Sequence, residues 1–143
     1  MGVNIDCGTG QETIVANNVS LPERKLALVD VIKGIRDAKI SGGVTVANVG
    51  VFDSDEAARL NITGAVVMAQ VALATNVPFL MSWKLADNSL TTLNAQAMVL
   101  VGVSVGTHVA ACHANAQALA VSVQEAEDHD ALDAIDLSEG WPA

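Results

Sequence analysis

The sequence has few aromatic residues. Its 143 residues include two Phe, two Trp and no Tyr, so small aliphatic side chains must fill most of the core. A core of Ala and Val buries enough area only when its helices pack closely. The scarcity of aromatics also removes the platforms on which nucleic-acid bases stack.

Basic residues are scarce as well. The chain has seven Lys and Arg against 16 Asp and Glu, which gives a formal net charge of −9. Residues 1–43 hold five of each sign, so the excess lies in residues 44–143, where the bases are Arg59 and Lys84. Binding to phosphates needs clustered Lys and Arg, so we expect no nucleic-acid partner.

Cysteine and long apolar runs are limited too. Cys7 and Cys112 are too few for a disulfide framework, and we interpret them as free thiols in a reducing compartment. The N-terminus lacks the pattern of a signal peptide. The longest apolar run, residues 97–112, is interrupted and shorter than the roughly 18 residues of a membrane span. We predict a soluble protein without a membrane partner, in which this run is a buried helix.

Helical and alternating hydrophobic patterns follow one another along the chain. Residues 1–20 have no helical period and are interpreted as a strand pair or an arm. Helices are predicted over about 21–41, 55–76 and 95–127, with Ser20 or Leu21, Asp53 or Ser54, and Asn94 as their respective caps. Hairpins are predicted over 44–52 and 78–93, the second turning at Asp87-Asn88, and a short helical turn over 130–135.

These elements predict an α+β fold. In it, a small antiparallel sheet of two hairpins is packed by two long helices and short terminal helices. The apolar residues that share one face of the second helix are Leu60, Gly64, Val67, Met68, Val71 and Ala72. Gly64, Gly102 and Gly106 allow close packing, either within the chain or between subunits.

The stretch THVAACHANAQ, residues 107–117, raises the question of a metal site. On a helix, His108 and Cys112 share a face, while His113 is turned by about 100° from Cys112. This helix can therefore supply at most two ligands to one ion, whereas zinc normally takes three or four. Cys7 and His129 are the remaining candidates, without motif spacing. We expect no metal or other cofactor, and instead a structural role or a subunit contact.

Other candidate motifs are weak. Residues 7–13, CGTGQET, lack the Lys-Ser/Thr ending of a phosphate-binding loop. The acids near residues 53–56 are placed to cap a helix, and no order of Ser, His and Asp indicates a nucleophile. We therefore expect no enzymatic activity. The helix Glu23–Ile40 is basic on its polar side, and the segment Glu125–Glu139 has seven acids and no base. These two could face each other within one chain or between copies.

Several blocks of sequence resemble a family of tailed phages and prophages, that of domain of unknown function 4376. They are RDAKISGGV, FDSDEAARLNITGAVVMAQ, WKLADNSLTTLNAQAM, HVAACHANAQAL, ALDAIDL and a closing GWP. Their order covers about three quarters of the chain, from about Arg36 to Pro142. We therefore divide it into residues 1–35, an N-terminal arm with the start of a basic helix, and residues 36–143, a compact α+β domain.

The resemblance implies a function in the phage tail. Such domains often form the C-terminal part of small proteins encoded beside tail fibres, including tail-fibre assembly proteins. The usual N-terminal module of the assembly proteins is replaced here by residues 1–35, which also suits a subunit that stays in the virion. The implied protein is a virion component or a chaperone, assembled in the host cytoplasm and located in the tail.

The implied partner is a tail-fibre or baseplate protein, with homo-oligomerisation. Phe79, Trp83 and Trp141 are predicted contact residues, because rare aromatics often anchor interfaces. Trp83 could equally fill the gap between sheet and helix. An alternative from the charge is an acidic inhibitor that imitates DNA towards a host nucleic-acid enzyme. A metal-dependent enzyme using His108 and Cys112 is the third hypothesis.

Overall fold

A computed structural model of the chain describes residues 19–143. The arm predicted for the first residues, with Cys7, lies almost entirely outside that range. The elements are α1 (Leu21–Ser41), β1 (Val44–Val46), β2 (Gly50–Phe52), α2 (Glu56–Thr75), β3 (Leu80–Lys84), β4 (Leu90–Asn94), α3 (Ala95–Glu125) and α4 (His129–Asp133). The α+β fold class is therefore confirmed.

Polar side chains begin the helices. Ser20, Asp55, Asn94 and Asp128 are the N-caps, and each side chain accepts a hydrogen bond from a backbone N–H of the first helical turn. Such bonds satisfy donors that have no partner within the helix. The prediction of Asp53 or Ser54 as the cap of α2 was wrong, because the chain turns into the helix only at Asp55.

The two hairpins form separate antiparallel sheets of two strands each. In the first, Val44 pairs with Phe52, and in the second, Leu80 pairs with Asn94. Asn48 and Asn88 hold the turns with φ of 66° and 71°, a conformation that Asn tolerates better than most residues. The predicted small sheet is thus divided in two. A hydrogen bond of 2.9 Å from the Ala86 N–H to the Val51 carbonyl links the hairpins.

Helix α3 lies at the centre of the described residues and contacts both other long helices. Helix α2 packs on its first half, and α1 packs antiparallel on its second half, with Lys39 near His108 and Lys25 near Gln124. Two clusters of buried side chains result. The larger joins α2, the first half of α3 and both hairpins, around Phe52, Met98 and Val101. The smaller joins α1, the end of α3 and the C-terminal segment, around Ile32 and Val123.

The predicted domain boundary at residue 35 falls inside α1. This helix runs unbroken from Leu21 to Ser41. Its most buried side chain, Ile32, is 1% exposed and lies on the N-terminal side of that boundary. Independent folding of residues 36–143 stays a prediction.

Candidate functional site: the apolar face of α2 and α3

His108 and Cys112 lie side by side on the buried face of α3, as the helical spacing predicts. The Nε2 atom of His108 is 2.9 Å from the Lys39 carbonyl oxygen and 3.7 Å from Cys112 Sγ. A carbonyl oxygen only accepts, so Nε2 carries the proton and donates it to Lys39. That nitrogen therefore has no lone pair with which to deprotonate Cys112. The hydrogen bond between His108 and Lys39 connects α3 to the end of α1. His113 is exposed on another face of α3.

Burial raises the pKa of the Cys112 thiol, partly opposed by the nearby Lys39 ammonium. A buried neutral thiol is a poor nucleophile and a poor metal ligand. Among residues 19–143, no group of three His, Cys, Asp or Glu side chains is placed to hold an ion. Both side chains are buried, and His108 connects α3 to the end of α1 through the Lys39 carbonyl.

The three aromatic side chains predicted as contacts are all partly buried within their own chain. Phe79 and Trp83 pack against the larger cluster, where the rings of Trp83 and Phe52 are 6.3 Å apart. Trp141 packs against the smaller cluster, and its indole N–H donates to the Leu137 carbonyl at 2.8 Å. Each ring keeps an accessible part, so their role in contacts with another protein stays a prediction.

The basic helix and the acidic C-terminal segment do face each other within one chain. The Arg24 guanidinium lies 2.6 Å from Asp133 and donates to His129 Nδ1 at 3.0 Å, while the Lys25 ammonium donates to the Gln124 carbonyl. Since Asp133 is largely exposed, this ion pair adds little stability. It links α1 to α4, while the Lys25 hydrogen bond links α1 to the end of α3.

Several other acids serve local turns. A hydrogen bond from the Ser89 hydroxyl lowers the pKa of Asp87, and Ser138 does the same for Asp136. Each carboxylate also accepts the backbone N–H of its serine. These acids are spread over separate turns, whereas a DNA mimic needs acids in rows on one outer face.

The most unusual surface is the apolar face of α2 and α3. Between the helices runs a groove of about 530 Å³, whose apolar walls include Val66 and Val67 on α2 and Val99 and Val103 on α3. Val67 and Val103 are 54% and 58% exposed. Gly102 and Gly106 also line the groove, which we call the α2–α3 groove.

The helical spacing of apolar residues predicted this face but not its exposure. Of the side chains grouped on one face of α2, Ala72 is buried, whereas Leu60, Val67, Met68 and Val71 are more than half exposed. Likewise, the run 97–112 was expected to be a buried helix, yet its outer side is open around Val103. The missed signal was the charge pattern, because Lys, Arg, Asp and Glu are absent from residues 60–83 and 88–124.

Helices α2 and α3 are also long and apolar enough to cross a membrane. Their most apolar windows have mean hydropathies of 1.4 and 1.5, and 22% and 28% of those windows are buried within the chain. Core helices of soluble proteins reach similar hydropathy, although more of their surface is then buried. The exposed apolar face of these helices is therefore suited to contact with another apolar surface.

The fold and this surface describe a small α+β domain with an apolar helix pair whose groove side is not covered by any other part of residues 19–143. Over residues 23–136 the chain matches the family described as Domain of unknown function (DUF4376), and it belongs to that family. The match covers all of α2 and α3 and nearly all of α1. No curated protein and no solved structure matches the chain.

Proposed function

We propose that this chain is a non-enzymatic phage tail protein associated with the tail fibre or receptor-binding apparatus. It serves there as a structural subunit of the virion or as a factor in fibre assembly. The phage setting comes from the resemblance of its sequence blocks, and membership of the same family supports it. The partner is a tail-fibre or baseplate protein, met during assembly in the host cytoplasm.

The observation that carries this proposal is the amount of large apolar surface left open. Leu60 on α2, Leu80 on β3 and Leu90 on β4 are 72%, 76% and 71% exposed. Single exposed apolar residues are normal, but a whole apolar helix face with further exposed leucines is typical of a subunit made for an assembly. The mechanism is burial of this surface against neighbouring subunits.

The β3–β4 hairpin is the proposed contact with the fibre. Within the described residues, each of its strands pairs only with the other, so each strand has one edge without a strand partner. Edge pairing supplies backbone hydrogen bonds, and neighbouring side chains supply specificity. Leu80 and Leu90 lie on the open face of this hairpin, while Phe79 and Trp83 lie on its core side with part of each ring accessible.

The test is quantitative mass spectrometry of purified particles of the phage that encodes this chain, calibrated against the major tail protein. A fixed copy number per particle supports a structural subunit, and cross-linking from Lys84 then identifies its neighbour. Absence from particles, together with co-purification with the fibre from infected cells, supports an assembly factor. Absence from both would overturn the tail proposal and favour the inhibitor hypothesis.

A further inference from the structure

We propose that the α2–α3 groove is the interface between two copies of this chain. The copies meet across a two-fold axis, so that two helix pairs stack face to face as a two-layer bundle of four helices. This proposal stands on the helix geometry and charge pattern, and does not depend on a location in the phage tail.

One side of the helix pair packs on the hairpins, while its other apolar side, the groove side, is open in the described residues. Helix α2 buries a narrow stripe, Ile62, Ala65, Ala69 and Ala72, and these residues alternate by three and four positions along the chain. That spacing is typical of two helices packed along one seam. An apolar side of a helix layer is normally buried against another layer. In the described residues nothing lies over the groove side of this pair.

The groove has the shape to receive apolar side chains from another helix pair. A Cβ atom added at Gly106 meets nothing within 4 Å, so the groove has open space beside this residue. At Gly102 the same atom would lie 2.5 Å from a methyl group of Val66, so the helices are already as close as they can be there. Val67 and Val103 stand out beside the groove as ridges. A two-fold axis places the ridges of one copy over the groove of the other.

The charge pattern points to a second copy rather than to a charged partner. The chain has a net charge of −9, so two copies repel each other over most of their surfaces. The helices that form the groove carry no Lys, Arg, Asp or Glu after Arg59 until Glu125 at the end of α3. Arg59, at the start of α2, lines one end of the groove, and the remaining lining residues are uncharged. Most of this face therefore matches itself and offers no ion pair to a partner rich in acids or bases.

The available area is enough for a stable dimer. A face as long as the 20 residues of α2 is about 30 Å long, and two packed helices are roughly 20 Å wide. Its outline of about 600 Å² is comparable to the roughly 800 Å² that each partner buries in a standard interface. Two-fold dimers are also the commonest closed assemblies.

The mass of the full-length chain in solution tests the proposal. Light scattering after gel filtration should give twice the chain mass of 14.7 kDa. The double variant Val67→Glu/Val103→Glu should give the mass of one chain, because it places buried, unpaired carboxylates in the interface. The control Val31→Glu changes a residue on α1 that is 48% exposed, and it should remain a dimer.

A second variant separates loss of the interface from loss of the fold. Gly106→Leu fills open space in the single chain and favours the helix, so it should remain folded by circular dichroism and still become monomeric. A monomeric wild-type chain, a trimer, or a dimer that survives both the double variant and Gly106→Leu would overturn the proposal. So would a monomer that binds vesicles of phosphatidylcholine and phosphatidylglycerol, since lipid would then cover the groove.

Discussion

Ser54 is the one fully buried hydroxyl among the described residues, and it joins two elements. Its Oγ accepts the Gly43 N–H at 2.9 Å and donates to the Ile40 carbonyl at 2.7 Å. Both backbone groups belong to the end of α1, where the helix itself no longer supplies partners. A single side chain just before α2 therefore completes the end of α1.

Replacing this hydroxyl should destabilise the fold measurably. Ser54→Ala leaves the Gly43 N–H and the Ile40 carbonyl without this partner, at a cost of about 1–3 kcal/mol in the free energy of unfolding. Urea denaturation followed by circular dichroism measures that change. Ser122→Ala is the matched control, because the exposed Ser122 hydroxyl only returns to the Ala118 carbonyl of its own helix. Equal stability of Ser54→Ala and the wild type would mean that water replaces the hydroxyl.

At the scale of single elements, the approach of α2 to α3 depends on Gly102. An added Cβ would lie 2.5 Å from Val66 Cγ2, closer than real contacts allow. Val66 is branched at Cβ and has few alternative rotamers in a helix. The two helices therefore pack at a distance that only glycine permits at this point.

Gly102→Ala should consequently lower the stability despite its better helix propensity. Overpacking costs typically 1–3 kcal/mol, which outweighs the roughly 1 kcal/mol that Ala gains over Gly in a helix. Gly34→Ala is the control, because a Cβ at Gly34 meets nothing within 4 Å and should raise the melting temperature. In the Val66→Ala background, Gly102→Ala should no longer lower the stability, because the clashing methyl group is absent. If Gly102→Ala costs as much stability in that background as in the wild type, the contact with Val66 does not set the distance between α2 and α3.

Element types were predictable from the sequence because their signals are local. The caps Ser20 and Asn94, the turn at Asp87-Asn88 and the helical spacing each depend on residues within a few positions. The cap of α2 was placed too early, since three polar residues in a row precede it and Ser54 is used by α1 instead. The use of Ser54 by α1 depends on its contacts with Gly43 and Ile40, which are 11 and 14 positions away in sequence. Local sequence patterns do not contain such contacts.

The candidate surface was harder to predict than the fold. Periodicity identified Leu60, Val67 and Val71 as one face of α2, but periodicity does not state which apolar face is covered. That depends on how many helices pack around α3, which is a property of the tertiary structure. The pairing of Arg24 with Asp133 was open for the same reason, because a charge pattern fits contacts within and between chains equally well.

At the scale of the whole molecule, the two clusters of buried side chains share α3 but differ in size. The larger has twelve buried residues and the smaller has five. The free energy of local opening follows the amount of buried apolar contact, so the smaller cluster should open at lower free energy. We therefore expect amide hydrogens of α1, α4 and the end of α3 to exchange before those of α2.

Ile32→Ala sharpens this expectation, because it removes the central side chain of the smaller cluster at a cost of about 2–5 kcal/mol. It should speed amide exchange in α1, α4 and the second half of α3, measured by mass spectrometry, and leave α2 nearly unchanged. Ile62→Ala, in the larger cluster, should instead speed exchange in α2. If Ile32→Ala speeds exchange in α2 as much as in α1, then α3 transmits the loss and the chain opens as one unit. Separate opening would mean that the α2–α3 groove keeps its shape while the α1 end moves.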